Sequence, residues 1–188
     1  MKPALLSLAL LSACTALVPS TVAQLAATDP AQMDPGVIAV AVVMPAGLRP
    51  QPVSTVLVLE AVRSDTGETA IYEAALDERP VTIDGMALLP GETAYLYQIA
   101  ERDLAPMRAV QATVLAWDKA APDATQGRLS VGLGACTVGA GPAPEAEGAV
   151  FIRLDEEGPM LPLIPRSSIA GLIGAEALAS IGPCNTAQ

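Results

Sequence analysis

The residues able to do chemistry in this chain are few. Asp155-Glu156-Glu157 is the densest carboxylate group, and Asp77-Glu78 is a smaller one. Three consecutive acids before Gly158 suit a solvated hairpin turn, whereas a Ca²⁺ site needs alternating oxygen ligands shaped around a tight loop. Glycosidase-type acid–base work needs two carboxylates facing each other across a cleft, and nothing in the pattern favours that. Ser167 and Ser168 follow Arg166, but a hydroxyl nucleophile needs a base. The 188 residues contain no histidine, which removes Ser-His-Asp and Cys-His catalysis, His-based metal sites and imidazole acid–base chemistry together. Lys119, the one lysine beyond Lys2, stands in no Ser-x-x-Lys pattern. Gly132, Gly134, Gly139 and Gly141 are not followed by the Lys-Ser/Thr of a phosphate loop. The expectation is no catalytic residue, no metal site and no cofactor, with helix capping as the role of Ser167 or Ser168.

Cysteine chemistry is more informative. Lys2 precedes an apolar run from Pro3 to Ala13 that is too short to span a bilayer and has the form of an export signal. Leu11-Ser12-Ala13-Cys14 has the pattern of a lipobox, in which small residues precede a cysteine that is lipidated and becomes the new N-terminus. Thr21-Val22-Ala23, behind Pro19, offers an ordinary small-x-small cleavage site before Gln24. The short apolar run ending at the cysteine favours lipidation of Cys14, while the apolar Ala16-Leu17-Val18 that follows counts against it. Thr15, rather than Asp, after the cysteine resembles the signals that send lipoproteins to the outer membrane. A multiply acylated cysteine anchors more stably than a single chain.

Either cleavage leaves Cys136 and Cys184. In an oxidising compartment these two are expected to form a disulfide. It would close a loop of about 49 residues, worth on the order of 4 kcal/mol in the chain-entropy account.

Composition narrows the partners. The net charge is −10, hydrophobic residues make up 52% and aromatic ones 3%, with a mean hydropathy of +0.45. Such an acidic surface repels phosphate backbones, so nucleic acid is excluded as a partner. Anionic lipid is equally disfavoured, which leaves the N-terminal lipid as the membrane contact and an envelope protein as the candidate partner. No small-molecule ligand is indicated.

The elements that would position these residues are mostly strands. Residues 1–13 form the leader, 14–36 a tether with a possible helical turn at 22–27, and 37–188 a single domain. Val37 to Met44 is apolar on both pleat faces and should lie centrally, covered on both sides. Val53 to Val62 alternates, with Thr55, Leu57, Leu59 and Ala61 on one face. Asp65-Thr66-Gly67-Glu68 is a hairpin turn with Gly67 at positive φ, returning through Thr69 to Leu76. Residues 77–90 are expected as loop, with a short strand possible at 81–83, and Tyr95 to Ile99 as strand.

One helix is expected from an N-cap at Asp103 to about Trp117, with Pro106 tolerated in its first turn. Its apolar stripe of Leu104, Met107, Val110, Val114, Leu115 and Trp117 should pack on a sheet, with Arg108, Gln111 and Asp118 outward. Leu129 to Cys136 is expected as one strand whose glycines allow close approach. Gly139 to Gly148 should be a mobile loop. Val150 to Leu154 and Met160 to Ile164 form a second hairpin, with Pro162 marking a sheet edge. A weaker helix runs from Ser168 to about Ala179, and Cys184 returns to the strand carrying Cys136. The fold class is therefore mainly β (α+β), an antiparallel β-sandwich-like domain with one crossing amphipathic helix and a shorter C-terminal helix.

Several of these segments taken together resemble a group of uncharacterised lipoproteins from alphaproteobacteria. They are Cys14 with Ala16-Leu17-Val18-Pro19, Leu25-Ala26-Ala27-Thr28-Asp29-Pro30, Val43-Met44-Pro45-Ala46-Gly47-Leu48, Ala109-Val110-Gln111-Ala112, Ala116-Trp117, Leu129-Ser130-Val131-Gly132 and the two late cysteines. The resemblance implies lipidation at Cys14 and carries no activity with it. The leader and first strands are also similar to small β-sandwich lipoproteins that act as pilots or chaperones for secretion machinery. The functional expectation is a non-enzymatic, lipid-anchored outer-membrane protein facing the periplasm, serving as an interaction or envelope-assembly module. The alternatives are a soluble periplasmic protein cleaved after Ala23, a carboxylate-dependent hydrolase of wall or glycan material, and a structural coat of the envelope.

Overall fold

The computed structural model describes residues 31–51, 54–80 and 86–184. Cys14, both cleavage sites, the possible helical turn at 22–27 and the possible strand at 81–83 lie outside them. Among the described residues the fold is mainly antiparallel β, built from a curled seven-stranded sheet, a small second sheet and three α-helices. The strands are β1 Ala39–Met44, β2 Leu48–Pro50, β3 Val56–Arg63, β4 Thr69–Arg79 and β5 Thr93–Ile99, followed by β6 Thr125–Gly132, β7 Ala135–Thr137, β8 Glu147–Arg153 and β9 Leu161–Ser168. The helices are α1 Glu101–Ala120, α2 Ile169–Ile173 and α3 Ala175–Ala179. The large sheet runs β6-β3-β4-β5-β1-β8-β9, and β2 pairs with β7 in the small one.

β1 lies inside the sheet, between β5 and β8, and is apolar on both faces. Ile38, Val40, Val42 and Met44 join the main core, while Ala39 and Ala41 on the opposite face meet Leu96, Phe151, Met86 and Met160. β3 is one-sided: Leu57, Leu59 and Ala61 are buried and Val56, Val58 and Glu60 only partly so. Arg63 fixes the following turn by pairing with Asp65 and Glu68, and Gly67 takes φ 74° there.

β4 is the corner of the sheet. Its residues 69–75 pair with β3, whereas 76–79 pair with β5, so one strand changes partners midway and turns the sheet on itself. Residues from both portions then share one core, with Leu57, Leu59 and Ala74 against Val40, Tyr97 and Ile152. This strand also extends into 77–79, which the alternation alone placed in a loop.

The partner change leaves the first portion of β4 with an open edge, and the start of α1 covers it. Asp103 accepts hydrogen bonds from the Tyr72 hydroxyl at 2.8 Å and the Ala75 N–H at 2.9 Å, and the Ala75 carbonyl receives the Ala100 N–H. Asp103 is therefore not the N-cap. The helix starts at Glu101 without a side-chain cap, because the carboxylate is engaged by the strand. Gln111 also departs from expectation: it is buried, and its Nε2 donates to the Met33 carbonyl at 2.8 Å. The cause is residues 31–36 of the expected tether, which pack on α1 with Ala31 and Pro35 buried and Asp34 paired to Arg108. The rest of the apolar stripe packs as expected, Val114, Val110, Leu115 and Trp117 meeting Ala61 and Ala70.

Candidate functional site

The expected strand over 129–136 is two strands. It breaks after Gly132, because the Gly134 carbonyl takes the Gln51 N–H at 2.9 Å and Ser54 closes over the bare Cα of Gly134. The chain then enters β7, bonded to β2, and carries Cys136 to the C-terminal end. Cys136 and Cys184 are disulfide-bonded with their Cα atoms 4.7 Å apart. Around the bridge, the Thr137 N–H donates to the Gly182 carbonyl and the Cys184 N–H to the Thr137 carbonyl. The expected bond thus forms, and it pins the last residues along β7.

Two further interactions shape this end of the molecule. Loop 138–146 is tied to the β1–β2 turn by the Val138 N–H to the Gly47 carbonyl. A Cβ at Gly47 (φ 85°) would overlap the Gly141 carbonyl, so only glycine permits this approach. On the other side, the expected C-terminal helix is interrupted at Gly174 (φ 92°), giving α2 and α3 instead of one rod. Ser168 caps α2 by accepting the Gly171 N–H at 3.2 Å, while the Ser167 hydroxyl donates to the Pro165 carbonyl. Both serines are therefore occupied locally.

Between the loop and the broken helix lies an open cleft of about 490 Å³. Gly141, Pro142 and Pro144 form one wall and Ala170, Leu178 and Ile181 the other, with Thr137 among the lining residues. No carboxylate, amine or thiol lines it. Its side chains are small and mostly apolar, and its polar surface comes from the Thr137 hydroxyl and the backbone. The sequence contained these walls only as a loop and a glycine-weakened helix; the small-residue composition was the available signal.

The other candidate residues are scattered. Asp155, Glu156 and Glu157 are exposed around the β8–β9 turn. Glu78 pairs with Arg49 at 3.4 Å, and the Arg49 guanidinium sits 5.8 Å from the Tyr95 ring centre. Among the described residues, no group of three or more His, Cys, Asp or Glu side chains is gathered as a metal site would require. Arg166 and the largely buried Glu92 form an ion pair, and Arg166 also donates to the Ala87 carbonyl, holding loop 86–92 against β9. Tyr97 is wholly buried, and among the described residues its hydroxyl meets no partner in good hydrogen-bond geometry, only the Thr55 hydroxyl beside it. Burial first, and the nearby Glu78 charge second, push its pKa up to about 12; Arg49 and the adjacent Thr55 hydroxyl pull weakly the other way. It is a core residue, not a reactive phenol.

Fold and cleft together define a disulfide-tied antiparallel β domain with one small open cleft described. No protein-family model, curated protein or solved structure matches this chain. Among the described residues, no helix is long and apolar enough to cross a membrane.

Proposed function

We propose that the chain is a lipid-anchored lipoprotein of the outer membrane, facing the periplasm and working without catalysis as an interaction or envelope-assembly module. The observation that carries this is Leu11-Ser12-Ala13-Cys14, with small residues and a cysteine closing a short apolar run. The Cys136–Cys184 bridge supports export, because such bonds persist in oxidising compartments. The apolar, acid-free lining of the cleft supports binding rather than hydrolysis. Thr21-Val22-Ala23 favours a second reading, in which cleavage before Gln24 gives a soluble periplasmic protein.

Metabolic labelling with an alkyne fatty acid separates the two. The lipoprotein takes up label and sediments with membranes, and Cys14→Ala loses both properties. An unlabelled wild-type protein beginning at Gln24 would establish the soluble form instead.

A further inference from the structure

The stretches 129–152 and 167–184 supply the cleft, and neither contains a lysine or arginine. Their charged residues are Glu145, Glu147 and Glu176, all exposed. Glu145 follows the lining residue Pro144, and Glu176 follows the lining residue Ala175. None of the three enters a salt bridge among the described residues. Of the arginines that flank these stretches, Arg128 pairs with Glu60 and Arg166 with Glu92, while Arg153 stands at the opposite end of β8 from Glu147. Glu145 and Glu176 thus each stand one residue from a lining position, and no basic residue belongs to either stretch. Apolar surface continues beyond the cleft: Val138 is 51% exposed and Ile173 50%.

Building on the reading of the chain as an interaction module, we propose that this cleft binds an extended segment of a partner protein in which small apolar side chains are flanked by lysines or arginines. Charge complementarity selects the cation, since exposed glutamates beside the lining residues, on a chain of net charge −10, disfavour fatty acids, phosphates and acidic peptides. Size selects the extended form. A volume of about 490 Å³ admits a few small side chains but not the width of a helix.

The test uses the full-length protein and a fluorescein-labelled peptide with an Ala-Val-Ala-Leu core between paired lysines, followed by anisotropy. The lysine peptide should bind, weakening several-fold as salt is raised and the screening length shortens. The same core between paired glutamates should not bind. Glu145→Lys combined with Glu176→Lys should weaken binding at least about tenfold. Both positions are exposed, so this variant keeps its fold, which circular dichroism checks. Ala175→Trp, which fills the cleft, should also abolish binding. No binding of the lysine peptide, equal binding of both peptides, or unchanged affinity in the charge-reversed variant would each overturn the proposal. A protein labelled at Cys14 that ignores the peptide loses the cleft proposal and keeps the anchor; an unlabelled protein that binds the peptide does the reverse.

Discussion

β1 and the C-terminal pair of helices draw on the same small aliphatic residues, with opposite outcomes. Every residue of Ala39–Met44 is buried, while in α2 and α3 only Leu178 is. β1 has β5 on one side and β8 on the other, and each of its faces meets a separate hydrophobic cluster. The helices follow the edge strand β9 and leave most of their surface exposed. They are held by Leu178, which enters the main core with Ile169 and Ala170 packed against it, by the Ile169 N–H to the Ala146 carbonyl, and by the disulfide that follows them. Hydropathy therefore does not set burial here; the number of neighbours does. The more exposed region is also the one left with an open apolar cleft.

The comparison breaks most directly at the bridge. Replacing Cys136 and Cys184 by Ser should cost about 4 kcal/mol, expressed chiefly as loss of hydrogen-exchange protection in α2 and α3 while β1 amides stay protected. Simultaneous loss of protection in both regions would show them to be one cooperative unit.

Leu59→Ala probes the other side. Leu59 is 1% exposed, and truncating it should cost about 3 kcal/mol in urea denaturation, with the thiols still oxidised and the peptide still bound by the folded fraction. A loss under about 1 kcal/mol would mean the core is far less tightly packed than its burial implies.

The smallest effect is confined to high pH. The pKa of Tyr97 is raised to about 12 from an ordinary 10, so the neutral phenol is favoured in the fold. Its contribution is complete below about pH 10 and is lost as the pH rises through about 12. Tyr97→Phe should therefore unfold less steeply with pH across that window and lose less than about 1 kcal/mol at neutral pH, because the buried hydroxyl gives up no more than a weak contact with Thr55. Identical alkaline profiles for the two proteins would place Tyr97 in contact with solvent.

Much of the strand order along the chain was legible because period-two alternation and turn chemistry are local. Leu57, Leu59 and Ala61 share a face through the pleat alone, and Gly67 is demanded by its turn. The partner change within β4 was not legible, since Thr69–Arg79 alternates throughout and only its neighbours differ. Asp103 misled for a related reason: an acid near a helix start satisfies the capping pattern, but a free strand edge competed for it. Gln111 looked solvent-facing until residues 31–36 supplied a carbonyl to bury it against. The cleft has no local signature, being the space left between a loop and a broken helix.

By itself, then, the sequence determined the strands, the crossing helix, the pairing of two cysteines and the absence of imidazole chemistry, because each depends on residue type and short-range spacing. Only the tertiary structure decided where the sheet turns, which polar groups are buried and where an apolar surface stays open, because those depend on contacts between residues far apart in the chain.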